Sequence, residues 1–189
     1  MMTHHDALAP VAAVRGEAVV VTTMRSVAVW PRLSDSPLDF HFIPSSMGQG
    51  VPLGLGLALA QPGRSVIVAC GDGSLLMNLG CLVTLAQYAV PVFVLLIDNG
   101  LYEVTGGQPV AGAGRTDFAG LARAAGIPRV YAFDSADGWR CGAAECLSGD
   151  GPVFVWLRVR GELGQATPTA PRPMSEQIAR LRAGLGIAG

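Results

Sequence analysis

Apolar, β-branched runs recur along the chain, and segments of helical spacing or high glycine content lie between them. Residues 18–22 (AVVVT), 40–43, 66–69, 92–97 (VFVLLI), 129–132 and 153–159 (VFVWLRV) read as strands. Residues 47–60 (MGQGVPLGLGLALA), 79–88, 117–125, 136–147 and 175–185 read as helices. The first of these is glycine-rich, as in a helix packed closely on a flat surface. Thr116 or Asp117 caps the helix at 117–125. The strands are continuously apolar and do not alternate, so both of their faces are buried. That pattern predicts an α/β fold of three layers, a mainly parallel sheet with helices on both faces. Residues 1–189 are expected to form one domain. Residues 1–16 are expected to be a flexible N-terminus, and 166–189 a proline-rich linker leading into a terminal helix. Folds of this class bind ligands at the carboxyl ends of their strands.

Composition narrows the function. Half of the 189 residues are hydrophobic and 14% are charged. So few charges fit either a domain that hides surface against another chain or a dense α/β core alone. The net charge is −1 and the sequence contains no lysine, which argues against nucleic-acid binding. Cys70, Cys81, Cys141 and Cys146 include no CxxC pair, so neither a disulfide framework nor a zinc site is expected. There is no recognisable secretory signal and no apolar run long enough to span a bilayer. A cytoplasmic protein is expected.

Two strands end in small clusters of oxygen ligands and glycine. The strand at 66–69 runs into Cys70-Gly71-Asp72-Gly73-Ser74, and the strand at 92–97 runs into Asp98-Asn99-Gly100. Taken singly, each cluster is a common turn sequence. At the ends of two neighbouring parallel strands, the Asp72 carboxylate and the Asn99 amide oxygen can converge on one point. A hard divalent cation such as Mg2+ takes such oxygens and shares them with substrate phosphates. Backbone N–H groups at the start of the following helix suit a phosphate. A dinucleotide fingerprint is not met, because Leu53 stands where GxGxxG after Gly48 needs glycine. No Walker A or GxSxG sequence is present. His4 and His5 are expected to be disordered, and His41 to be a structural strand residue.

The segment GDGSLLMNLG followed by IDNG resembles the thiamine-diphosphate-binding motif, with 25 residues between Gly73 and Asn99. The similarity spans residues 18–160 and is to the diphosphate-binding, C-terminal module of thiamine-diphosphate enzymes. Within that family the chain is similar to the β subunit of sulfopyruvate decarboxylase and to phosphonopyruvate decarboxylase, which share GDGSLLMNLG and the later TGGQP (residues 105–109). The resemblance implies a thiamine-diphosphate-binding fold with thiamine diphosphate and Mg2+ as cofactors. It implies that Asp72, Asn99 and the backbone carbonyl of Leu101 are metal ligands. Gly71, Gly73, Ser74 and Tyr102 would contact the cofactor, as would Ser45, Ser46, Met47 and Gly48 under its thiazolium ring. Met47 would force the cofactor into its bent shape, and the carbonyl of Ser45 would accept a hydrogen bond from its 4′-amino group; these two are the candidate catalytic residues.

The implied activity is decarboxylation of a small 2-oxo acid, a carboxy-lyase reaction. Carboligation in a biosynthetic pathway and a non-catalytic scaffold or regulatory subunit are the alternatives. The family activates its cofactor with a glutamate on a pyrimidine-binding domain. Only 17 residues precede the first strand here, so that glutamate is expected on a separate pyrimidine-binding subunit. The chain departs from the subgroup's Thr-Thr-Gly at Met24, and from its Ser-Arg-Glu at residues 27–29 (Val-Ala-Val). Gln49 stands where a histidine is frequent. Arg25 is a candidate contact for the diphosphate or a substrate anion, or else a solvated surface residue.

Overall fold

The structure is a computed structural model, and it describes residues 1–43 and 48–187. The elements in chain order are α1 (His4–Val14), β1 (Val19–Thr22), α2 (Ser26–Val29), β2 (Asp39–His41), α3 (Gly50–Ala60), β3 (Val66–Gly71), α4 (Asp72–Leu76), α5 (Cys81–Ala86), β4 (Val92–Asp98), β5 (Leu101–Tyr102), β6 (Gln108–Pro109), α6 (Phe118–Ala124), β7 (Arg129–Phe133), α7 (Ala136–Cys146), β8 (Val153–Arg158) and α8 (Met174–Gly184). Six strands form one sheet in the order β2-β1-β3-β4-β8-β7, and every pairing in it is parallel. β5 and β6 form a separate antiparallel pair. The predicted three-layer α/β architecture is the one observed.

The strand register explains why the strands read as continuously apolar. Phe40, Val21, Val68, Val94, Phe154 and Val130 stand side by side across all six strands. They belong to one hydrophobic cluster, which also takes Val51 and Leu55 of α3, Leu82 of α5, Phe118 of α6 and Leu181 of α8. One residue earlier, Val20, Ile67, Phe93 and Val153 form the matching row on the other face. That row packs with Leu8 of α1, Trp30 and Trp139 of α7. Side chains alternate across a strand, so a sheet covered on both faces needs an apolar residue at every position.

α3 lies against the sheet as closely as its glycines permit. A Cβ at Gly54 would come within 2.3 Å of a Val68 methyl. Asp117 caps α6 through its carboxylate, which accepts from the Gly120 N–H. α8 is pinned to β2 where the His41 N–H donates to Gln177 Oε1 at 2.8 Å.

The N-terminus departs from expectation. Residues 4–14 form α1 rather than a flexible tail, and Thr3 and Asp6 cap it reciprocally. Met2, Ala7, Leu8 and Val11 are buried. Trp139 donates its indole N–H to the carbonyl of Ala7 at 2.8 Å. His4 is therefore ordered and buried, contrary to the sequence expectation. Two polar histidines and Pro10 in so short a helix masked its apolar stripe. His41 does close a strand, with its Nδ1 2.8 Å from Thr22 Oγ1. Among the described residues, no helix is long and apolar enough to cross a membrane.

Candidate active site

The chain leaves β1 for β2 on one side and returns to β3 on the other. In an open parallel sheet that reversal opens a crevice beyond the carboxyl ends of the strands. A cavity of about 100 Å³ lies there. Thr23, Met24 and Arg25 line it after β1, Gly71 to Ser74 after β3, and Ile97 and Asn99 at the end of β4. Leu101 to Thr105, His4, Ser26 and Met77 complete the wall.

β3 ends at Gly71 in extended backbone, and α4 starts at once with Asp72. Asp72 is buried. Its Oδ2 accepts the Gly100 N–H at 3.1 Å. The same N–H lies 3.2 Å from Asp98 Oδ1. Asp98 Oδ2 accepts the indole N–H of Trp156 at 2.9 Å. Burial and then the neighbouring Asp98 carboxylate push the Asp72 carboxyl well above the usual carboxylate range. Asn99 Oδ1 accepts the Leu101 N–H at 2.9 Å, which folds the loop after β4 back on itself. Ser74 Oγ accepts the Gly48 N–H at 3.1 Å. Asn78 Nδ2 donates to the Gly48 carbonyl at 3.3 Å, so the start of α3 is tied to α4. Gly73 lies under the Tyr102 ring, and a Cβ there would sit 2.3 Å from it.

The far wall is charged. Arg25 donates to Gln165 Oε1 at 2.6 Å and makes long ion pairs with Glu103 at 3.8 Å and Glu162 at 3.9 Å. Glu103 is buried; its Oε1 accepts the Glu162 N–H at 2.5 Å, while Oε2 has no hydrogen-bond partner. Burial, reinforced by the positive charge of Arg25, lowers the His4 imidazole to about 4. Met24 has φ +49°, a left-handed conformation that glycine adopts freely and other residues rarely do.

Of the residues singled out in the sequence, Gly71, Asp72, Gly73, Ser74, Asn99, Leu101 and Tyr102 meet at this one cavity, together with Arg25. Gly48 is joined to the group through Ser74. Gln49 stands at the start of α3, away from the cavity lining. Ser45, Ser46 and Met47 lie outside the described residues. Sequence reasoning passed over Thr23, Glu103 and Trp156, and it discounted His4. A buried glutamate paired with an arginine 78 residues earlier has no local sequence signal, and Trp156 reaches Asp98 only through the pairing of β4 with β8.

Residues 26–157 match the sequence profile of the family described as "Thiamine pyrophosphate enzyme, C-terminal TPP binding domain". The chain belongs to that family. It is 39% identical over 147 residues to phosphonopyruvate decarboxylase of Streptomyces viridochromogenes, covering 77% of this chain and 36% of that one. It is 39% identical over 129 residues to the sulfopyruvate decarboxylase subunit beta of Methanothermobacter thermautotrophicus, covering 68% of this chain and 65% of that one. The chain thus spans under two thirds of the length of these relatives. The solved structure of benzoylformate decarboxylase from Polynucleobacter necessarius superposes with a TM-score of 0.72 at 20% identity. It covers 84% of this chain and 33% of that one, a likeness of fold.

The donor set fits a hard cation and a diphosphate. Asp72 and Asp98 place two carboxylates side by side, and among the described residues no ion pair involves either of them. Buried negative charge without a basic partner is what a divalent cation neutralises. Among the described residues, no group of three or more His, Cys, Asp or Glu converges. One carboxylate, one amide and backbone oxygens suit a cation whose shell is completed by phosphate and water.

Proposed function

We propose that the chain is a subunit of a thiamine-diphosphate-dependent 2-oxo acid decarboxylase of the sulfopyruvate or phosphonopyruvate kind, and that it supplies the Mg2+-diphosphate half of the active site. The observation that carries this reading is the convergence of Asp72, Gly73 and Asn99 on one cavity at the switch point of the sheet. Its family membership and its 39% identity to a phosphonopyruvate decarboxylase support it. A relative of similar identity is named as a subunit, which supports a separate pyrimidine-binding partner carrying the activating glutamate.

In this reading Asp72, Asn99 and the Leu101 carbonyl hold Mg2+. The Gly73 and Ser74 backbone at the first turn of α4 faces the diphosphate, and the Tyr102 ring walls it in. Ser45 and Met47 retain the roles that the family resemblance gives them beneath the thiazolium. When bound, thiamine diphosphate supplies an electron sink for the pair left on the 2-keto carbon as carbon dioxide departs. The protein contributes placement and a fixed electrostatic field. Ile97, Met77 and Leu101 give the cavity an apolar part beside these polar groups.

The test is carbon dioxide release from pyruvate, sulfopyruvate and phosphonopyruvate with Mg2+ and thiamine diphosphate, using this chain alone and with its co-purified partner. Release that needs both chains is the expected result. Condensation with an added aldehyde in place of release would point to a carboligase. A purified complex that binds no cofactor would point to a scaffold.

A further inference from the structure

We propose that Asp98 is a positioning residue for the Asn99–Leu101 loop and for the Asp72 carboxylate, and that Trp156 holds Asp98 in place. The inference rests on the reading that Mg2+ binds at Asp72 and Asn99. The geometry is a chain of contacts. Trp156 is fixed on two sides: the Phe118 ring meets it edge-on at 5.8 Å, and the Arg158 guanidinium lies 4.5 Å over it. With the ring held there, its indole N–H reaches Asp98 Oδ2 at 2.9 Å. The other oxygen of Asp98 takes the Gly100 N–H at 3.2 Å, in the middle of the ligand loop. That N–H is shared with Asp72 Oδ2 at 3.1 Å. An anchored aromatic on β8 thus fixes, through one carboxylate, both the loop after β4 and the carboxylate after β3.

The arrangement has an electrostatic consequence. Asp98 ends β4 in register with Arg158 of β8, so its backbone cannot move away without breaking the ladder. Its carboxylate adds negative potential beside Asp72 without needing to touch the ion. Two carboxylates around one N–H repel each other until a cation arrives, and then both favour it. Groups that orient metal ligands in this way commonly change metal affinity by about 10- to 100-fold when removed.

Trp156→Phe is the sharpest test, because it keeps an aromatic ring between Phe118 and Arg158 while removing the pyrrole ring that carries the N–H. The measurement is the Mg2+ concentration that half-saturates thiamine diphosphate binding, by calorimetry on the full chain with its co-purified partner. Trp156→Phe and Asp98→Ala are each expected to raise it about tenfold. The double variant is expected to be no weaker than Asp98→Ala, since Trp156 acts only through Asp98. A purely structural role would lower the melting temperature and leave the Mg2+ requirement of the folded protein unchanged. If Asp98→Ala does not fold, Asp98→Asn replaces it in the cycle. Wild-type Mg2+ affinity in Trp156→Phe, or additive losses in the double variant, overturns the inference while the cation site stands. Wild-type protein that binds cofactor without Mg2+ overturns the cation site itself, and the inference with it.

Discussion

Met24 stands in left-handed backbone at the cavity wall. A side chain there costs about 1–2 kcal/mol, against about 0.5–1 kcal/mol for the extra freedom that glycine loses on folding. Met24→Gly is therefore expected to leave stability unchanged or raise it by up to about 1 kcal/mol, read from urea unfolding. A clear loss would mean that the Met24 side chain is held by packing that outweighs its backbone strain. Asp72 gives the opposite balance between stability and function. Its carboxylate is buried beside Asp98, so Asp72→Asn is expected to keep or raise the melting temperature of the cofactor-free protein. The same change is expected to abolish Mg2+-dependent binding of thiamine diphosphate. Retained affinity in that titration would remove Asp72 from the ligand set. Asp72 and Asn99 were legible because each follows its own strand within a few residues. The link from Trp156 to Asp98 spans 58 residues and exists only once β4 and β8 are paired.

At the scale of elements, strands were read more easily than helix ends. A parallel strand buried on both faces leaves an unbroken apolar signature, so β1, β3, β4 and β8 were each found to within a few residues. The ladders carry β3 to Gly71 and β4 to Asp98, past their apolar runs. That extension delivers Asp72 and Asn99 to the cavity. α1 escaped notice because capping and burial of Ala7, Leu8 and Val11 hold it, not a strong periodic stripe. The close seat of α3 on the sheet makes its own prediction. Gly54→Ala places a methyl against Val68, and overpacking of this kind costs about 1–3 kcal/mol. Gly56, two residues on, is exposed with open space around it, so Gly56→Ala is expected to be neutral or stabilising. Thermal unfolding of the two variants side by side checks the register of α3.

For the whole molecule, the buried His4 sets an acid limit on stability. Its folded form takes up a proton only near pH 4, while the unfolded chain does so near 6.5. Between those values the unfolded state binds more protons, so stability falls as pH falls. The loss is fully absent above about pH 7 and reaches at most about 3 kcal/mol near pH 4. His41 is lowered by burial too and adds to the same trend. Urea midpoints at pH 7 and pH 5 measure the effect, and His4→Gln is expected to shrink the difference between them. An unchanged difference would assign the acid sensitivity to other groups.

α1 begins at one end of the sheet and α8 finishes at the other. Met2 bridges Val159 just past the end of β8, and its carbonyl accepts the Arg160 N–H at 2.8 Å. His4, two residues on, forms part of the cavity wall. At the end of α8, Gly184 rests on Pro37 and Leu38, ahead of β2 and at the opposite end of the sheet. Bulk attached ahead of α1 would stand at the rim of the site and crowd whatever enters it. Attachment to a surface through the last turn of α8 would hold the protein by the far pole and leave the mouth of the site open.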